Sequence, residues 1–335
     1  WVDPSSPFKG AEGHYFKAYD AGYIDPANIK PNATMAIKGT GLSAIDVAIH
    51  SLESGLYDKV LMHSRGGLLR QVRPDVVKPY TRQHFTLENV QKLKRMNALD
   101  VQSLMNLLQM ELQVAYRGKD VPNFKPQRME DILNHFDQGI TNHKANQSEP
   151  WYDLFKSLPA QERHAIFDLL SSKQRQDFRE KLGSLYTTII APVSITNAEK
   201  LQAYIRDGRV QIINGATDVQ FNLEDKHFTI ANNTLADDIV VDRYIDATGA
   251  QRDARLQPLL NHEIQKGDFK ADAEGGVQLD YKTKEIKSDT LPGRSVYGIG
   301  PIGNGQSILN FSSNSAARQG FALGYRLGQE LMFSA

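Results

Sequence analysis

The sequence predicts an α/β protein, a parallel sheet flanked by helices and interrupted by a helical insertion. Three observations predict it. First, "GTGLSA" (39–44), a Gly-x-Gly-x-x-Ala turn, stands between an apolar run and an amphipathic stretch, as in a βαβ unit. Second, strand-like runs follow at 59–63 and, far downstream, at 237–249, "DDIVVDRYIDATG", the most strand-like stretch of the chain. Third, residues 85–184 between them change to helical periodicity.

Each element has its own signal. "ATMAI" (33–37) is a short apolar run that fits a buried strand. Leu42, Ile45, Ala48, Ile49 and Leu52 then form a helical stripe, and Gly55 is a stop signal. "DKVLMHSR" supplies the second strand (59–63) and runs into "HSRGG". The insertion predicts four or five helices punctuated by Pro122, Pro126, Pro150 and Pro159. "TTIIAPVSI" (187–195) predicts a strand and "TNAEKLQAYIRDG" a capped helix ending at Gly208. "RVQIING", "TDVQFNLED" and "KHFTIANN" read as short alternating strands separated by Gly and Asn/Asp turns. "RSVYGIG" (294–300) predicts another strand, and a final helix covers 313–332.

Composition narrows the function. Lys+Arg and Asp+Glu are both 39, so no global basic field recruits nucleic acid or an anionic membrane. The absence of cysteine excludes disulfides, thiol nucleophiles, CxxC redox chemistry and cysteine-ligated metal. Any redox chemistry must therefore rest on an organic cofactor. No run approaches the roughly 20 apolar residues of a membrane helix. The N-terminus carries no signal pattern, which leaves the cytoplasm as the expected location. The chain starts on Trp1 rather than Met, so it is expected to be all, or the C-terminal majority, of its protein.

The glycine turn suits a dinucleotide pyrophosphate. Gly39 allows the tight turn, Gly41 removes a Cβ that would block the phosphates, and Ala44 lets helix and strand approach. The helix N-terminus adds free amides and the positive end of its dipole. NAD-binding versions place an acid after the second strand to hold the ribose hydroxyls. Here "MHSRGG" offers Ser64 and Arg65 instead, and Arg70 and Arg73 add positive charge. That favours NADP(H) over NAD(H), with Arg65 at the 2′-phosphate; a solvated basic loop is the alternative.

Together, "GTGLSAIDVAIHSL…KVLMHSRGGLL", the "IDATG" strand and the closing "VYGIGP…SAARQG" resemble two-dinucleotide-binding flavoproteins. Within these they look most like bacterial FAD/NAD(P)-binding proteins of the YdhS type, which are similar to N-hydroxylating lysine and ornithine monooxygenases. The resemblance covers roughly 30–80 and 185–330 and implies a Rossmann-like FAD/NAD(P)-binding fold with a helical insertion. By position it places the nicotinamide nucleotide on Gly39, Thr40, Gly41, Leu42, Ser43 and Ala44. It places the return to the flavin domain at Thr248 and Gly249, and the flavin edge at Gly300, Pro301 and Ser315, which opens the adjacent helix with Ala316 and Ala317. The implied domains are a nucleotide domain (31–84 and 185–249), the insertion (85–184) and the remainder of a FAD domain (1–30 and 250–335). One departure is large: residues 1–30 hold only Gly10, Gly13 and Gly22, not the first GxGxxG that would bind the ADP half of FAD. Either that unit lies upstream or it has been lost.

The resemblance implies an NAD(P)H-dependent flavin oxidoreductase, with monooxygenase-like chemistry as one form of it. Hydride would pass from NADPH to FAD, and the reduced flavin to a small-molecule substrate or electron acceptor. The rival is a non-catalytic NAD(P)-binding sensor or scaffold that has lost its flavin site. No catalytic acid or base stands out, and hydride transfer requires none. "GPIGNGQS" (300–307) nearly spells a P-loop, but Gln306 replaces the lysine that reaches the phosphates. Nine scattered histidines without HExxH predict no metal site, and no GxSxG elbow occurs. Trp151, Tyr152 and Phe155 at helical spacing read as core or lid.

Overall fold

The structure, a computed structural model, describes residues 8–124, 128–215, 217–232, 237–248, 254–272, 275–280, 282–288, 290, 295–300, 302 and 313–333. The chain divides into two compact units. The first comprises 1–82, 111–157 and 181–249, the second 83–110, 158–180 and 250–335.

The first unit holds strands β1 (Tyr15–Lys17), β2 (Ala33–Lys38), β3 (Tyr57–Ser64), β4 (Val210–Asn214), β5 (Thr217–Asn222), β6 (His227–Asn232), β7 (Ile239–Val241) and β8 (Arg243–Asp246). Five form a sheet in the order β1-β8-β2-β3-β4, and every neighbouring pair is parallel. The other three, β5-β6-β7, make an antiparallel meander. This is an α/β fold of Rossmann-like type with a helical insertion.

Helix α1 (Leu42–Glu53) follows β2. The insertion supplies α2 (Leu87–Arg95), α3 (Val101–Ala115), α4 (Met129–Lys144), α5 (Pro150–Lys156), α6 (Ala160–Asp168) and α7 (Ser172–Ile190), and α8 (Ile195–Arg206) leads to β4. Period-two alternation decides which face of the sheet each strand residue serves. Met35, Ile37, Val60, Met62, Ile212 and Ile245 share one core with Ala44, Ile45 and Ala48 of α1, Ala198 and Leu201 of α8, and Ile132, Phe136 and Ile140 of α4. Ala36, Leu61, Ile213 and Tyr244 share another with Phe228, Ile230 and Val241 of the meander. The sheet is thus covered on both faces, as a parallel sheet requires. Full burial of side chains such as Met35, Ile37, Met62 and Phe228 contributes about 1.5–3 kcal/mol each. Asn197 Nδ2 donates to Asp46 Oδ1 at 2.8 Å and Lys200 pairs with Glu53 at 2.6 Å, joining α8 to α1 at the rim.

In the second unit, Val90 of α2, Leu104 of α3, and Ile166 and Phe167 of α6 bury together with Leu158. Thr86 caps α2 by accepting from the Asn89 amide at 3.2 Å. Beyond the insertion lie α9 (Pro258–Lys266) and α10 (Ser313–Phe333). Among the described residues no helix is long and apolar enough to cross a membrane.

Three expectations need correction. The strand expected at 187–195 is helix as far as Ile190. Its β-branched residues stay helical because Ile189 packs on the Tyr116, Phe124 and Trp151 cluster. The helix stops ahead of Pro192, whose ring disfavours helical geometry at Ala191; Val193 alone then pairs, with Val72. The single strand expected at 237–249 is two strands in different sheets. Asp242 makes the break, its carboxylate accepting from the Thr34 amide at 2.7 Å and hydroxyl at 2.9 Å. The strand expected at 294–300 reduces, among its described residues, to a bridge between Tyr297 and Glu285. The sequence reading also passed over β1, whose three residues are too few to show a period.

Candidate functional site

Strand order places the site. From β2 the chain crosses through α1 to β3 on one side, while β8 pairs with β2 on the other. The order of connection reverses at β2, and in open α/β sheets ligands bind in the crevice outside the carboxyl ends at that point. Because all five strands are parallel, the turns after β2, β3 and β8 gather along one edge. Gly39, Thr40, Gly41, Leu42, Ser43 and Ala44, then Arg65, then Thr248 all stand there.

The two glycines answer different demands. Gly39 has φ 128°, a backbone that L side chains rarely adopt. Its amide donates to the His63 carbonyl at 2.7 Å, and a Cβ would stand 3.1 Å from the Ala247 carbonyl oxygen. Gly41 has φ −83°, open to every residue. What Gly41 secures is space: a Cβ there would lie 3.0 Å from Arg70 Nη2. Ala44 is fully buried and close to Gly39, which fits its small size. Gly41 is the N-cap of α1, contributes no side-chain acceptor, and no acid stands in the first turn. The helix therefore presents its amides and positive dipole end to an anion.

Thr40 is buried, and its hydroxyl donates to the Leu68 carbonyl at 2.8 Å and contacts Ser64 Oγ at 3.1 Å. Ser64 Oγ also accepts from the Gly67 amide at 2.9 Å. The glycine turn and the 64–68 turn are thus tied together. Leu42 and Ser43 are half-buried, and Arg65 is exposed. Arg70 closes the edge above Gly41, with Nε and Nη1 buried; its neighbours Leu68, Phe124 and His135 line a small cavity with it.

At the β8 end, Asp246 pairs with Lys17 of β1 at 2.9 Å and accepts from the Thr248 hydroxyl (2.6 Å) and amide (3.0 Å). Burial pushes this carboxyl up, but the bonds from Thr248 and Lys17 outweigh it and hold it below the usual range. One layer down, the buried His63 ring is hydrogen-bonded through Nε2 to Tyr244 Oη at 2.9 Å. Burial, aided by Lys38, pushes His63 down to about 4, so the ring is neutral at physiological pH. Among the described residues no three His, Asp or Glu gather as metal ligands.

Gly300 and Ser315 belong to the second unit, Ser315 in the first turn of α10. Gly300 has φ 72°, and its amide donates to Gln319 Oε1 at 3.0 Å. Gly249, Pro301 and Gln306 lie outside the described residues. The sequence reading missed the part taken by Arg70 and by the Lys17–Asp246 pair. Arg70 showed only as local positive charge, and Lys17 sits in a strand too short to read.

The sheet, the turn at its switch point and the small-residue helix start define a dinucleotide-type α/β fold. No protein-family profile and no curated protein matches the sequence. Among solved structures, the chain is similar to L-lysine 6-monooxygenase from Pseudomonas syringae, with 12% identity, TM-score 0.47, and 100% of this chain and 62% of that one covered. It is similar to reduced ornithine hydroxylase from Pseudomonas aeruginosa, with 15% identity, TM-score 0.43, and 95% and 57% covered. A third is the ornithine N-hydroxylase of Kutzneria sp. 744 with reduced FAD, NADP+ and L-ornithine (14% identity, TM-score 0.40, 95% and 59% covered). The chain spans about three fifths of the length of these enzymes.

Proposed function

We propose that the chain binds NADP(H) on the Gly39–Ala44 turn and is the nucleotide-binding part of a flavin-dependent oxidoreductase. The observation that carries this reading is the glycine turn at the point where the strand order reverses, opening a helix with no acid in its first turn. A Cβ would stand 3.1 Å from the Ala247 carbonyl oxygen at Gly39 and 3.0 Å from Arg70 Nη2 at Gly41, so the turn supports the reading with tight surroundings at both glycines. Arg65 follows β3, where an acid would otherwise hold the ribose hydroxyls, and it is exposed. A bound nicotinamide coenzyme supplies the hydride. The chain's own part is to hold the coenzyme, with Gly39 and Gly41 admitting the phosphates and Arg65 facing the 2′-phosphate. The flavin half of the reading rests on the sequence resemblance, with Thr248 and Gly249 at the return to a flavin domain and Gly300, Pro301 and Ser315 at its edge.

Calorimetric titration of the full chain with NADPH and NADH tests the nucleotide. NADPH is expected to bind about ten- to hundredfold tighter, the worth of one charge-assisted phosphate contact. Arg65→Ala is expected to erase that preference while leaving NADH affinity unchanged; a preference that survives the substitution removes Arg65 from the site. Adding FAD and following NADPH consumption tests the flavin half separately. Tight NADPH binding with neither flavin uptake nor coenzyme oxidation leaves the non-catalytic module.

A further inference from the structure

We propose that His14 and Arg243 form a pH-sensitive latch on the edge strand β1, which opens locally on acidification while the rest of the first unit stays folded. The proposal is independent of the nucleotide reading. It starts from a buried cation. Arg243, the first residue of β8, is 7% exposed. Its bonds among the described residues all go to neutral acceptors. Nη1 donates to the Asp242 carbonyl at 2.8 Å and to His14 Nδ1 at 2.6 Å, and Nη2 donates to the Asn28 carbonyl. Nε is buried without a hydrogen bond. The adjacent carboxylate, that of Asp242, is engaged by the Thr34 amide and hydroxyl instead. His14 and Asn28 bracket the segment that carries β1, so one guanidinium clamps that segment at both ends.

A guanidinium has no lone pair to offer, so His14 Nδ1 is the acceptor and the ring is neutral, with its proton on Nε2. Protonating Nδ1 sets N–H against N–H and adds a second positive charge beside a buried one. The other groups around the ring do not cancel this. Lys226, in the turn between β5 and β6, adds to the repulsion. Asp242 opposes it, with its carbonyl 3.4 Å from Nδ1, but that carbonyl already accepts from Arg243. The Phe221 ring of β5, 5.8 Å away between centroids, is neutral. Burial first, and Arg243 after it, hold the His14 pKa below its usual value.

The element that the latch holds is short. β1 has three residues, stands at the end of the sheet order and pairs with β8 alone. A short edge strand opens more readily than the strands inside the sheet. Phe16 and Tyr23 anchor the segment in the core, so the latch sets how often β1 opens rather than whether it folds. Opening also withdraws Lys17 from Asp246, its partner at 2.9 Å. A latch at the start of β8 is thereby linked to the crevice at its end.

Hydrogen exchange of the full chain at pH 7.5, 6.5 and 5.5, read by mass spectrometry and corrected for intrinsic exchange rates, tests this. Peptides covering 14–18 are expected to lose up to about tenfold in protection between pH 7.5 and 5.5, the most that one proton taken up on opening allows. At each pH they should exchange faster than β2 and β3, which marks the opening as local. His14→Gln keeps an acceptor for the guanidinium but does not titrate. Its 14–18 protection should stay level over the same range, while that of β2 and β3 still falls. Level protection of 14–18 in the wild type, or a parallel fall in His14→Gln, overturns the latch. If the glutamine leaves 14–18 unprotected already at pH 7.5, nitrogen NMR of the wild-type imidazoles decides. A His14 that carries its proton on Nε2 at pH 7.5 and titrates together with the loss of β1 protection supports the latch. A His14 protonated on Nδ1 at pH 7.5, or one that titrates apart from that loss, overturns it.

Discussion

Gly39→Ala is expected to destabilise the first unit by about 2–4 kcal/mol, combining the cost of a disallowed backbone region with a backbone clash. The same substitution should remove the chain's nucleotide affinity. Two features make this glycine irreplaceable in place. Its φ of 128° lies where L residues rarely go, and its would-be Cβ meets the Ala247 carbonyl oxygen at 3.1 Å. Neither can relax cheaply, because the Gly39 amide is bonded to the His63 carbonyl and the Ala247 amide to the Lys38 carbonyl, at 2.7 and 2.9 Å. The turn is therefore stitched to β3 on one side and to the exit of β8 on the other. Moving it away from Ala247 breaks pairing that continues into the sheet. Gly41→Ala provides the contrast, with an ordinary φ and a side chain as its nearest neighbour, and should cost stability little. Urea denaturation followed by circular dichroism measures both. A Gly39→Ala chain within about 0.5 kcal/mol of wild type, the scatter of neutral surface changes, would show that the turn relaxes freely.

These glycines illustrate how far the sequence could be read. The β2–α1–β3 unit was legible because every signal in it is local: an apolar run, a glycine pair, a helical stripe and a glycine stop at Gly55, with φ 73°. The end of α8 at Gly208, with φ 70°, is of the same kind. Errors arose where distant residues decide. At Thr187–Ile190, β-propensity favoured a strand, but the apolar side chain of Ile189 found partners on α3 and α5 as a helix. At Asp242, a run that looks continuous is bent from one sheet to another by bonds to Thr34, more than two hundred positions away. The site shows the same division. Its glycine turn could be read directly, while the approach of Arg70 to Gly41 depends on the 64–70 segment folding back through Thr40, Ser64 and Leu68.

Acidification from pH 6.5 to 4 is expected to destabilise the protein through His63, by up to about 3 kcal/mol, at roughly 1.4 kcal/mol per pH unit. The sign follows from burial. His63 is 4% exposed, and desolvation, with Lys38 as a secondary cause, lowers its pKa from 6.5 to about 4. Above pH 6.5 the ring is neutral in both folded and unfolded chains, so it adds no pH dependence. Between 6.5 and 4 the unfolded chain takes up a proton that the folded chain refuses, and stability falls. Below 4 both forms are protonated and the loss is complete. In the second unit His164, also pushed down to about 4 by burial with Lys284 and Arg163 contributing, acts in the same direction. Glu149 acts oppositely at the lower end, since burial raises its pKa and protonation favours the folded form. A single substitution isolates the His63 share. His63→Gln keeps a hydrogen-bonding group for Tyr244 Oη but does not titrate, so its stability-versus-pH curve should be flatter than wild type across 6.5 to 4. Two parallel curves would place the proton uptake elsewhere. Because the folded chain keeps the His63 ring neutral down to about pH 4, the glycine turn that its carbonyl anchors through the Gly39 amide should stay intact while the chain remains folded across 6.5 to 4.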